Sequence, residues 1–92
     1  MNRRIAITGL GTINPVGNGV AETWEGIRAG RSGVDFITSF DTADYDVKIA
    51  AEVRGFDPGQ WIDPKNARKM ARFSQFAVAS AVQAWRDAGL DR

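Results

Sequence analysis

Residues 3–17, RRIAITGLGTINPVG, decide how the chain is read. Ile5, Ala6 and Ile7 form a short unbroken apolar run between Arg3 and Arg4 on one side and the turn chemistry of Gly9 and Gly11 on the other. A strand covered on both faces has no polar side to alternate with, so this run predicts a buried parallel strand. Gly9, Gly11, Pro15, Gly17 and Gly19 make the stretch that follows a loop, and its tightness predicts a close approach of backbone to some other element. A dinucleotide fingerprint would need a third glycine at the position held by Asn14, and no GK[ST] sequence is present. The glycines therefore read as a structural turn in preference to a nucleotide site.

Further along, Val20, Trp24 and Ile27 stand at the spacing of one helical face, predicting a helix over 20–29. Gly19 is at its N-cap, Glu22 in its first turn and Gly30 just past its end. Gly26 lies inside this pattern, where it costs helix stability. Residues 31–46 read as an ordered surface loop anchored by Phe36, Ile37 and Phe40. Its aspartates, Asp35, Asp41, Asp44 and Asp46, match no calcium-loop spacing and no glutamate closes the set, so no metal is expected. Residues 47–54, VKIAAEVR, predict a second strand.

Asp63 and Pro64 form an N-cap and first-position pair, and no proline or glycine interrupts the chain from there until Gly89. One long helix and two helices with a bend near 71–73 both fit this stretch. Phe73, Phe76, Ala77, Ser80, Ala84 and Ala88 make a stripe whose small members let another backbone approach closely. Trp24 and Trp85 fall on apolar helical faces suited to a core or an interface, and Trp61 is placed to pack on the helix entry. The βαβα order implies a layered α/β fold.

A chain of 92 residues is one domain at most, near the size where one core is barely sufficient, so it is expected to need neighbours. Its 43% apolar and 25% charged content is globular, and a net charge of +1 gives no general reason to expect nucleic acid or an anionic membrane. With neither cysteine nor histidine, the chain lacks a thiolate nucleophile, the usual general base and the usual metal ligands. Ser32, Ser39, Ser74 and Ser80 have no arrangement that supplies a base. No signal segment or membrane span is evident, and a cytoplasmic location is expected.

The most distinctive local charge pattern is Lys65, Arg68, Lys69 and Arg72, at i, i+3, i+4 and i+7 of a helix, with no acidic residue between Pro64 and Arg86. Cations near a helix N-terminus oppose its dipole. The stripe has two readings: a solvated basic face, or a surface for an acidic partner.

The same stretch 3–17 closely resembles the opening of the elongating β-ketoacyl-[acyl carrier protein] synthases, where a strand leads into TGLG and a PVG turn. WEGIRAGRSGV (24–34), FDTADY (40–45), ARKMARF (67–73) and AVQAWRDAGL (81–90) resemble later motifs of that family, in order, so the likeness covers essentially the whole chain. The PVG turn and the loop favour the synthase II type. Ketosynthase domains of polyketide synthases and silent chain-length factors share this opening, and the segment does not separate them.

The resemblance implies the N-terminal part of a thiolase-like αβαβα layered α/β fold, with two strands plus helices, incomplete on its own and forming a single partial domain over 1–92. It implies a parent acyltransferase of fatty acid biosynthesis that condenses an acyl chain with malonyl-carrier protein through a cysteine and two histidines, none of which lies within residues 1–92. By this reading the segment alone has no catalytic residue, is inactive and needs no cofactor. It also implies a homodimeric parent and an acyl carrier protein partner, with Lys65, Arg68 and Lys69, and less directly Arg72, facing the carrier's acidic helix. Many relatives carry an aspartate at the position of Ala71. A non-catalytic carrier-binding protein is the alternative, and neither nucleic acid nor membrane is expected as a partner.

Overall fold

A computed structural model describes residues 2–91. In chain order the elements are helix α1 (Val20–Arg28), strands β1 (Val34–Phe36) and β2 (Ile49–Ala51), a 3-10 turn (Pro58–Gln60), and helices α2 (Pro64–Ala67) and α3 (Arg72–Asp87). They divide into two compact units. One is made by the chain up to Thr12 together with the chain from Asp57 onward, the other by Ile13–Phe56.

The first unit is organised on α3. Ala71 occupies its N-cap with extended backbone, φ −66° and ψ 157°, but offers no side-chain acceptor. At the far end Gly89 takes φ +74°, a left-handed stop that suits glycine. The close approach expected of the glycine loop is made here, against the helix backbone itself. A Cβ on Gly11 would lie 2.0 Å from the Ser80 carbonyl oxygen, and one on Gly9 would lie 2.3 Å from that of Ala84. The Leu10 amide donates to Asp87 Oδ2 and the Thr12 amide to Gln83 Oε1, each at 3.0 Å. The small residues Ser80, Ala84 and Ala88 are thus where the segment lies. Among the described residues Ile62, Ala67 and Ala79 are the buried apolar ones.

The strand expected at Ile5–Ile7 is not formed. No ladder joins this run to another segment among the described residues, and Ile5 and Ile7 are 90% and 82% exposed. A strand exists by pairing its N–H and C=O groups with a neighbour, and none of the described residues supplies one. Trp24 and Trp85 are likewise exposed. Trp61 lies with the Arg86 guanidinium 5.5 Å from its ring centroid, a cation–π contact.

In the second unit α1 follows its expected course, from the Gly19 N-cap to the left-handed Gly30 at φ +70°. Gly26 is buried because neighbours fill the space of a side chain: a Cβ there would lie 2.4 Å from Val16 Cγ1 and 2.7 Å from Arg31 Nη2. Arg31 in turn donates to the Val16 carbonyl at 2.9 Å. Asn14, at the position a dinucleotide loop would give to glycine, pins the turn. Its Oδ1 accepts from the amides of Val16 and Gly17 at 2.8 and 3.0 Å, and its Nδ2 donates to Thr23 Oγ1 at 2.9 Å.

β1 and β2 pair antiparallel, with Val34 opposite Ala51 and Phe36 opposite Ile49. This corrects two expectations: residues 31–46 are not wholly loop, and the strand expected over 47–54 is confined to Ile49–Ala51. β1 is only three residues long and is defined by its partner, so no period could announce it. Beyond the sheet, Glu52 gathers the chain. Its carboxylate accepts from the amides of Thr38 (3.0 Å) and Ser39 (3.2 Å), from Thr38 Oγ1 (3.0 Å) and from the Ser39 hydroxyl. These donors, the Ser39 hydroxyl foremost, lower the Glu52 pKa from 4.5 to about 2. Lys48 Nζ closes the loop between the strands by donating to the Thr42 and Tyr45 carbonyls at 2.7 and 2.8 Å. Among the described residues no acidic cluster is arranged to hold a metal ion, and no helix is long and apolar enough to cross a membrane.

Candidate docking surface

The cationic stretch lies in the first unit, on a corner assembled from two capped turns. Asp57 Oδ1 accepts from the Gly59 amide at 2.9 Å, starting the 3-10 turn, and Pro58 fills its first position. Asp63 Oδ1 then accepts from the Lys65 amide at 3.2 Å, with Pro64 first in α2. Proline at a first helical position loses nothing by lacking an N–H, so each Asp-Pro pair fixes the start of its turn.

α2 ends within one turn. The amides of Lys69 and Met70 bond back to the carbonyls of Asn66 and Ala67 at 3.0 and 3.1 Å, in the tighter i to i−3 pattern. Gln75 reaches back from α3 and its Nε2 donates to the same Ala67 carbonyl at 3.0 Å, giving that oxygen a second donor and tying α3 to the end of α2. The bend considered for residues 71–73 is therefore real and begins slightly earlier, at Arg68.

This corrects the picture of a single helical stripe. Lys65 belongs to α2, Arg68 is its C-cap, Lys69 lies in the turn and Arg72 opens α3. All four are exposed, but they are spread over two helices and the turn between them. The dipole argument changes with it. Arg68 and Lys69 stand at the C-terminal end of α2, the favourable side, and only Arg72 at the start of α3 opposes a helix of appreciable length. The Arg72 guanidinium lies 5.0 Å from the Phe76 ring centroid. Among the described residues no carboxylate forms an ion pair with Lys65, Arg68 or Lys69.

Beside the cations is a groove of about 360 Å³ lined by Asp57, Pro58, Gly59, Pro64, Ala67, Arg68 and Gln75. Sequence reasoning missed it. The signal was present in the two Asp-Pro pairs, Asp57-Pro58 and Asp63-Pro64, which mark two turns close together in the chain. The surface contains no nucleophile paired with a base, so its chemistry is that of charge and shape.

Comparison with known proteins identifies the family of the chain. Residues 2–92 match the family described as Beta-ketoacyl synthase, N-terminal domain. Among its relatives are proteins named 3-oxoacyl-[acyl-carrier-protein] synthase 2. That of Coxiella burnetii (strain RSA 493 / Nine Mile phase I) is 52% identical over 89 residues, covering 97% of this chain and 22% of the relative. That of Staphylococcus aureus (strain COL) is 46% identical over 90 residues, covering 98% and 22%. A solved structure, the ishigamide ketosynthase/chain length factor, superposes with a TM-score of 0.82 at 47% identity, over 90% of this chain and 21% of the other. The chain thus spans about a fifth of the length of the relatives it matches. It belongs to the β-ketoacyl synthase N-terminal domain family and carries part of that family's thiolase-like α/β fold.

Proposed function

We propose that the chain is the N-terminal part of a β-ketoacyl-[acyl carrier protein] synthase of the synthase II type, which elongates acyl chains in fatty acid biosynthesis by decarboxylative condensation with malonyl-carrier protein. In this reading residues 1–92 are one partial domain that contributes fold and carrier docking, while the reacting cysteine and histidines lie elsewhere in the cytoplasmic, homodimeric parent. The observation that carries the docking role is the corner itself: Lys65, Arg68 and Lys69 are exposed and make no ion pair among the described residues. An acidic helix would find them unneutralised. They would act by steering and orienting the carrier, so their effect falls on association rate and salt dependence.

The triple substitution Lys65→Ala, Arg68→Ala and Lys69→Ala, made in the protein as its gene encodes it, tests this. Carrier affinity at low salt is expected to fall on the order of tenfold or more, with a flatter dependence on ionic strength. Unchanged binding at low salt overturns the docking role. Reading the coding frame past the codon for Arg92 tests the catalytic half, which requires a cysteine followed by two histidines. A second reading, a polyketide ketosynthase or silent chain-length factor segment, is favoured by the likeness to the ishigamide ketosynthase/chain length factor. An in-frame sequence without the cysteine would favour the silent factor.

A further inference from the structure

The groove beside the cationic corner has polar groups in its wall, but they are largely committed. One oxygen of Asp57 holds the Gly59 amide and the Gln75 Nε2 holds the Ala67 carbonyl. What remains facing a visitor is the apolar surface of Pro58, Pro64 and Ala67, with Arg68 as the one cation in the lining. Ala67 is only 7% exposed and forms the floor. A volume near 360 Å³ is at the small end of the range for ligand sites, enough for one large apolar side chain with its rim hydrated. Because Arg68 lines the groove and Lys65 and Lys69 flank its lining residues Pro64 and Arg68 in the chain, the surroundings favour a carboxylate next to that side chain.

We propose that this groove is an anchor pocket: it takes one apolar side chain from an acidic helix of the docking partner, while Arg68 pairs with a carboxylate about one helical turn away from that side chain. The proposal rests on the carrier-docking reading and adds to it a short-range, salt-insensitive contact. Charge brings the partner to the corner, and the anchor sets which way round it sits. An apolar group withdrawn into a pocket is not screened by salt, whereas exposed ion pairs are.

The test uses the protein as its gene encodes it and a purified acyl carrier protein as the probe. Ala67→Leu adds three carbons to the side chain at the floor of the groove. Carrier affinity is expected to drop about tenfold, by the same factor at low and high salt, while Lys65→Ala with Lys69→Ala changes the slope of affinity against salt. In the unsubstituted protein the Ala67 methyl is expected to show intermolecular nuclear Overhauser contacts to carrier methyl groups. This second measurement decides the matter if Ala67→Leu fails to fold. Wild-type affinity in Ala67→Leu, or the absence of those contacts in a complex that still responds to the lysine changes, overturns the pocket and leaves carrier docking standing. If Ala67→Leu alters self-association of the protein and not carrier binding, the groove's occupant is another copy of the chain and the proposal falls. No carrier binding at low salt overturns both.

Discussion

Where the segment through Gly9 and Gly11 meets α3, backbone lies against backbone, and the contact depends on the absence of side chains. In the Ile13–Phe56 unit the opposite device is used: Asn14, Arg31, Lys48 and Glu52 each reach out and tie two or more backbone groups together. Among the described residues neither unit has a large side chain that is fully buried, so neither is held by an ordinary hydrophobic core. The difference shows two ways to order a chain with little core: bring secondary structure into van der Waals contact through glycine and alanine, or staple loops with polar side chains whose bonds go to the main chain.

The comparison makes unequal demands on substitution. Gly11→Ala is expected to have the largest effect, about 3 kcal/mol, because its Cβ meets the Ser80 carbonyl and overpacking against backbone cannot be relieved by a rotamer change. Loss of denaturant stability and of amide-exchange protection along α3 would show it, and a neutral outcome would mean that the segment does not dock there. The stapled unit should respond instead to acid. The Glu52 pKa is lowered in the folded chain, so its stabilisation is complete above the reference value of 4.5 and is lost as pH falls from there through about 2. The amide resonances of Thr38 and Ser39 are expected to titrate in that window, and Glu52→Gln should abolish the titration. A titration midpoint near 4.5 would show that the four-donor clamp is not formed. The smallest expected effect is a gain. Ala71→Asp supplies the missing acceptor at the start of α3 and should stabilise the helix by about 1 kcal/mol. It also places a carboxylate beside the cationic corner, so the same variant is expected to bind an acidic carrier slightly more weakly.

Legibility in the sequence followed the same division. Features coded by a local rule were readable: the tight glycine turn, the course of α1 to Gly30, and the Asp63-Pro64 start of α2. Features that exist only through a partner were not. β1 is three residues, Val-Asp-Phe, whose strand character comes from Ile49–Ala51 across the ladder, and Ile5–Ile7 has the composition of a strand without a partner among the described residues. The cations form a local charge pattern that is legible in the sequence, but their arrangement in space is not. Spacing puts Lys65 through Arg72 on one helical face and leaves a bend near 71–73 open, whereas the break at Arg68–Ala71 is made by i to i−3 bonds and by Gln75, which leave no periodic trace. The groove was invisible for the same reason, since its lining is brought together from Asp57 through Gln75 by those turns.

The Gly11 contact has a consequence for the genetics of the protein. The atoms a methyl group would strike include the Ser80 carbonyl oxygen and the Ala84 amide nitrogen, which every amino acid at those positions would possess. A damaging change at Gly11 therefore has no intragenic suppressor by side-chain exchange on α3. A screen for second-site revertants should return true reversion to glycine, whereas lesions in the polar staples, where one side chain can stand in for another, should yield compensating changes.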